Sequence, residues 1–162
     1  MTQFANTPGI PKEDADKLFA AGVSFLSNKA FSSAYVCFDR IPAKDFKLLY
    51  NKALCCFMVE WYDECHRLLC EAERLVPMNA GHGTERLPEA FIHSLHDEES
   101  PFCPISQGTP EPLAYTRLLR LKAEAAFKLH LYSEVKAISN RLGRKYKHIE
   151  TLINTQNDND NQ

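Results

Sequence analysis

The histidines and cysteines are the residues best able to do chemistry, and their spacing limits what chemistry that is. His93 and His96 stand three apart with Asp97 beside them, so a short helix would put both imidazoles on one face. Cys103 or His82 could add a third ligand. A structural zinc site wants four ligands, and no second Cys/His pair completes the set. The expectation is two surface histidines and no metal. Cys55 and Cys56 are adjacent on a helical stretch, so their side chains diverge and cannot form an ordinary disulfide with each other. Cys65 and His66 point about 100° apart, which does not suit a nucleophile and its base. With Leu68, Leu69 and Ala72, Cys65 instead forms a stripe at core spacing. The chain has no phosphate-cradling glycine loop, nucleophile elbow or zinc-protease helix motif. The reading is therefore a protein that is not an enzyme and needs no cofactor.

Composition removes other classes. The 162 residues are 44% hydrophobic and 25% charged, with a formal net charge of −2. That balance suits one globular domain and offers no broad electrostatic footprint for nucleic acid. The cluster Arg141, Arg144, Lys145 and Lys147 reads as a solvated face. The first residues, MTQFANTPGIPKEDADK, carry no apolar run like that of a signal peptide, and no stretch approaches the length of a membrane span. The six cysteines accordingly read as reduced thiols acting as small hydrophobes. A cytoplasmic location is expected, with no membrane partner.

The elements come from periodicity. After a loose leader at 1–11, with Pro11 opening the first helix, apolar residues recur at Leu18, Ala21, Gly22, Phe25 and Leu26, spacings of three and four. Phe31, Ala34, Tyr35, Phe38 and Ile41 continue on a second helix that Pro42 ends. A second pair runs from Phe46 to about Val59 and from Tyr62 to about Val76, closed by Pro77. A third runs from about Pro112 to Leu129 and from about Tyr132 to Leu142, with Gly143 placed as a left-handed C-cap. The repeats thus cover about 12–42, 46–77 and 112–143. A terminal helix at 144–154 carries Tyr146, Ile149 and Ile153, and the polar tail 155–162 is expected to be disordered. Residues 78–111 hold four of the nine prolines and read as an insertion, with one short helix from Pro88 to about His96.

The pairs repeat in sequence. Residues 49–65 (LYNKALCCFMVEWYDEC) align without gaps on 119–135 (LRLKAEAAFKLHLYSEV), matching Lys52 with Lys122, Ala53 with Ala123, Phe57 with Phe127 and Tyr62 with Tyr132. A shorter step places Gly22 with Ala53, Phe31 with Tyr62, Ala34 with Cys65 and Phe38 with Leu69. A small residue on the first helix would let the second approach closely, and an aromatic opening the second would fill the space beside it. With the run CEAERLVP at 70–77, this layout resembles the tetratricopeptide repeat, a helix–turn–helix unit of about 34 residues.

The resemblance implies an all-α fold: a right-handed α-α superhelix of about three helix–turn–helix repeats plus a C-terminal helix. It further implies a concave groove lined by the first helix of each pair. Carried over position by position, the groove takes Phe19, Val23 and Leu26 from the first repeat and Tyr50, Asn51, Leu54, Phe57 and Met58 from the second. The third supplies Arg117, Arg120, Glu124, Phe127 and Lys128. Some family members clamp a chaperone's C-terminal carboxylate with Lys, Asn and Arg. Here only Asn51 matches and Arg117 substitutes, while Phe19, Val23 and Leu121 stand where polar groups are needed. The implied function is a protein–protein interaction module that takes a partner's peptide or amphipathic helix in the groove. The alternatives are a self-associating scaffold, such as a homodimer, and, ranked below it, a metal-binding or enzymatic protein using the insertion histidines. The insertion adds an expectation of its own: Phe91, Ile92, Leu95 and Phe102 lie across the groove and cap it or shape its specificity.

Overall fold

Proline sets the first boundary. Pro11, with φ −53° and ψ 144°, is the N-cap of α1 (Lys12–Ser27), one position outside the helix that the sequence reading has it begin. Glu13 and Asp14 follow in the first turn, where negative charge meets the positive end of the helix dipole. A computed structural model describes residues 9–78, 88, 90, 91 and 100–162 of the chain. Its further helices are α2 (Phe31–Asp39), α3 (Phe46–Met58), α4 (Tyr62–Arg74), α5 (Glu111–Lys128), α6 (Tyr132–Arg141) and α7 (Lys147–Asp160). Among the described residues there are seven helices and no strand, so the fold is all-α.

The helices pair through three turns of one geometry. Lys29, Glu60 and His130 adopt φ of 61°, 64° and 61°. After each, a backbone N–H reaches back five residues: Ala30 to Phe25 O (2.9 Å), Trp61 to Cys56 O (2.9 Å) and Leu131 to Ala126 O (2.8 Å). This is the double-bonded Schellman ending of a helix, which satisfies carbonyls left over at the C-terminus. None of the three residues is glycine, so each turn carries a left-handed conformation costing about 1–2 kcal/mol. The fourth stop has two left-handed residues, Gly143 with φ 75°, where that cost is small, and Arg144 with φ 57°, which bears it like the other three.

Packing follows the small-residue pattern. A Cβ on Gly22 would lie 2.6 Å from Phe38 Cε1 and Cζ, so only glycine lets α2 seat its fully buried Phe38 against α1. The matching Ala53 and Ala123 are fully buried in their own pairs. Cys65, Leu68, Leu69 and Ala72 are the four buried residues of α4. The pairs α1/α2, α3/α4 and α5/α6 stack in chain order through α2 on α3 and α4 on α5, and α7 closes on α6 and α5.

The terminal helix differs from the sequence reading at both ends. The terminal helix begins at Lys147, with Tyr146 as its N-cap, and continues to Asp160 through the tail expected to be disordered. Its last turns bury nothing. They are held by helical backbone bonds, with Thr151 Oγ1 donating to Lys147 O (2.8 Å) and Thr155 Oγ1 to Thr151 O (2.9 Å). Of the short helix expected from Pro88 to His96, only Pro88, Ala90 and Phe91 are described, and Phe91 N–H donates to Pro88 O. The other residues of that helix lie outside the described residues, as does His82.

Candidate functional site

Asp45 fixes where α3 starts, its carboxylate accepting from Leu48 N–H at 3.0 Å. That start aims Tyr50, Asn51, Leu54 and Phe57 toward α5, and the space between is filled by the chain's own residues 102–109. Tyr50 hydroxyl donates to Cys103 O (2.7 Å), and Arg117 Nη1 donates to Pro104 O (3.3 Å). Asn51 binds one residue from both sides: its Nδ2 donates to Ile105 O (2.8 Å) and its Oδ1 accepts from Ile105 N–H (2.9 Å). Lys47 Nζ donates to Gln107 O (2.8 Å) and Thr109 O (2.6 Å). Two side chains of the segment are read as well. Phe102 stacks on Phe57 at 5.0 Å between centroids, and Ile105 is fully buried. Burial pushes the Tyr50 hydroxyl far above its ordinary pKa, so it stays a donor at any working pH.

The end of α5 is covered by α7. Arg120, 1% exposed, lies 4.7 Å from the centre of the Tyr146 ring, and its Nε donates to His148 Nε2 (3.1 Å). An acceptor at Nε2 assigns the proton of a neutral His148 to Nδ1, which then donates to Glu124 Oε1 (2.7 Å). Ser139 adds a hydrogen bond to Glu150.

These contacts show where the residues expected to line a groove stand. Tyr50, Asn51, Phe57 and Arg117 do face one site, but segment 102–109 already occupies it, and Leu54 is buried in the core. Arg120 and Glu124 serve α7 instead of solvent. Phe19 and Leu26 are buried in the core, with Phe19 edge-on to Phe38 at 5.6 Å, and Val23 packs against that core. Phe127 is half-buried, edge-on to Tyr132 at 5.7 Å, and Lys128 Nζ sits 5.7 Å from the centre of the Tyr62 ring. Of the expected groove residues, Met58 is among the exposed hydrophobics. The physical reason is the polar decoration of the array: a groove edged with Asn and Arg at backbone-bonding height is satisfied by the nearest extended chain. Phe102 of the insertion stacks on Phe57, one of the residues expected to line the groove. Phe91 is exposed, and Ile92 and Leu95 lie outside the described residues.

Outside this site, α4 and α6 are joined by side chains alone. His66 Nε2 lies 3.1 Å and 3.0 Å from the two oxygens of Glu134, and Cys70 Sγ is 3.8 Å from His66 Nδ1. Alongside, Glu73 receives hydrogen bonds from Lys122 (2.6 Å) and Arg141 (2.7 Å). Burial opposes ionisation of Glu73, but the two cations outweigh it and hold its carboxyl below the ordinary range. The sequence reading missed this cluster by pairing His66 with Cys65; the usable signal was His66 and Cys70 four apart on one helical face. All six cysteines are free. Burial pushes Cys55 up to about 12 and Cys56 up to about 11, and raises Cys65 further, which leaves these three thiols poor nucleophiles at neutral pH.

Comparison of the chain with protein-family models, curated proteins and solved structures returns no match. Among the described residues, no helix is long and apolar enough to cross a membrane.

Proposed function

We propose that this chain is a protein-interaction module of the tetratricopeptide type, a right-handed superhelix of three helix pairs and a terminal helix, which receives an extended peptide between α3 and α5. The observation that carries the reading is Asn51, buried and bonded to both the N–H and the C=O of Ile105. With Tyr50, Arg117 and Lys47 it addresses five backbone carbonyls, those of residues 103, 104, 105, 107 and 109. A helix spends its own carbonyls internally, so this surface suits an extended strand-like segment and not an amphipathic helix. Backbone bonding gives affinity without sequence preference, while the places of Phe102 and Ile105 supply selectivity for an aromatic and an aliphatic side chain. A partner has to compete with a segment tethered at high local concentration.

The test uses a fluorescent peptide, SPFCPISQGT, copied from residues 100–109. The double substitution Phe102→Ala/Ile105→Ser lifts the internal segment while leaving α3 and α5 unchanged. Anisotropy should show this variant binding the peptide with a Kd below about 100 µM, or about −5.5 kcal/mol. The unaltered protein should bind at least tenfold more weakly. Adding Asn51→Leu should abolish binding. A variant that keeps its helical circular dichroism yet ignores the peptide would reject the proposal.

A further inference from the structure

We propose that His66, Cys70 and Glu134 form a zinc-class metal site that staples α4 to α6. The donor atoms lie within 4.8 Å of one another. His66 and Cys70 are four apart on α4, so their side chains leave the same face one turn apart, and Glu134 enters from the first turn of α6. The site is sheltered, with the His66 and Glu134 side chains 19% and 28% exposed. A thiolate, an imidazole and a carboxylate are the ligand set of a borderline-soft transition metal; magnesium and calcium would demand oxygens instead. Water supplies the fourth tetrahedral position.

A catalytic reading of the same three residues fails on geometry. Cys70 Sγ is nearly equidistant from His66 Nδ1 (3.8 Å) and Nε2 (3.9 Å), so it lies on the lone-pair axis of neither nitrogen. A Cys–His pair poised for proton transfer needs that axis. A metal makes no such demand on the sulfur–nitrogen line, since each donor need only reach the ion.

The neighbouring cation is compatible. Lys122 Nζ is 2.6 Å from Glu73 Oε2 and 3.4 Å from Glu134 Oε1, and both Glu134 oxygens face His66 Nε2, Oε1 at 3.1 Å and Oε2 at 3.0 Å. Oε2 can ligate while Oε1 keeps its contact with Lys122, which then acts as an outer partner of the carboxylate. Binding replaces the His66–Glu134 hydrogen bond, shifts the imidazole proton to Nδ1, and releases the thiol proton of Cys70 to solvent. The zinc then carries a thiolate and a carboxylate beside the Glu73–Lys122–Arg141 group. Because α4 and α6 have no close backbone approach, the ion would join these two helices directly, beside the α4–α5 packing that already unites the second and third pairs.

The full chain, stripped of metal and reduced, is titrated with cobalt(II) as a spectroscopic stand-in and then with zinc. The expected result is one equivalent of cobalt giving a near-ultraviolet sulfur-to-metal band with intense visible tetrahedral bands, all displaced by zinc, and a higher Tm with zinc than without. Cys70→Ser should abolish the sulfur band, and both it and Glu134→Gln should weaken zinc binding by more than about 100-fold, beyond the loss typical of an outer-shell change. Each variant's metal-free Tm and circular dichroism show whether it is folded. Absence of the sulfur band in the unaltered protein overturns the proposal. So does a band that persists in Cys70→Ser, which would put the metal on another cysteine.

Discussion

Replacing Asn51 by leucine keeps the heavy-atom skeleton of the side chain and removes only its hydrogen-bonding capacity. Ile105 is buried, so its N–H and C=O then lose their partners away from water. Leaving two buried backbone groups unmet costs about 2–6 kcal/mol. The segment could escape that cost by lifting. Lifting gives up burial of Ile105, about 1.5–3 kcal/mol, and the Phe102–Phe57 stack, about 0.5–1.5 kcal/mol. It also gives up the bonds from Tyr50, Arg117 and Lys47, at about 0.5–1.5 kcal/mol each. Lifting is the dearer route, so the segment stays seated and the protein absorbs a loss of about 3 kcal/mol. In urea unfolding with m of about 2 kcal/mol/M, the midpoint should fall by about 1.5 M with m unchanged. A fall in m would mean that the segment had left the groove before the protein unfolded, contrary to the ordering of the two costs. A midpoint shift below about 0.3 M would refute the reasoning outright, because Asn51 would then carry no net bond.

Two further outcomes follow from the packing and the charges. Gly22→Ala gains about 1 kcal/mol of helix propensity but drives a methyl into Phe38, at about 1–3 kcal/mol. Calorimetry should show Tm lowered by about 3 °C in the natural background and unchanged or raised on a Phe38→Leu background. Glu73, whose folded pKa is depressed, contributes stability that is present above its unfolded value of about 4.3 and lost as pH falls through the lower folded value. Stability against urea should therefore drop below about pH 4, and Glu73→Gln should flatten that part of the profile.

Much of the helical framework was legible because it is local. Spacings of three and four located the stripes, Pro42 and Pro77 marked stops, and the steps relating Gly22, Ala53 and Ala123 recur in the turns at Lys29, Glu60 and His130. What escaped depends on residues far apart in the chain. Ile105 sits in a proline-rich run with no periodicity, and nothing local shows that it will be among the most buried residues of the molecule. Asn51 was picked out by position, yet its partner lies 54 residues away. Arg120 read as a free groove cation because Tyr146 and His148 come to it from a helix whose docking angle the sequence does not encode. The tail after Ile153 looked unstructured because it buries nothing, and its helix rests on local hydrogen bonds within the helix itself.

The segment across α3 and α5 also has a temporal meaning. Its anchoring bonds from α3 join residues 53 to 62 positions apart, whereas each helical hairpin closes over a few residues. Long closures are slow and can be rewarded only once both receiving surfaces exist. The hairpins therefore assemble first and the segment locks last, after α5 has docked. Run backward, its release is a partial opening of the native state, and hydrogen exchange at Ile105 should report an opening smaller than global unfolding. The same residue that seals the groove would then time how often it is vacant.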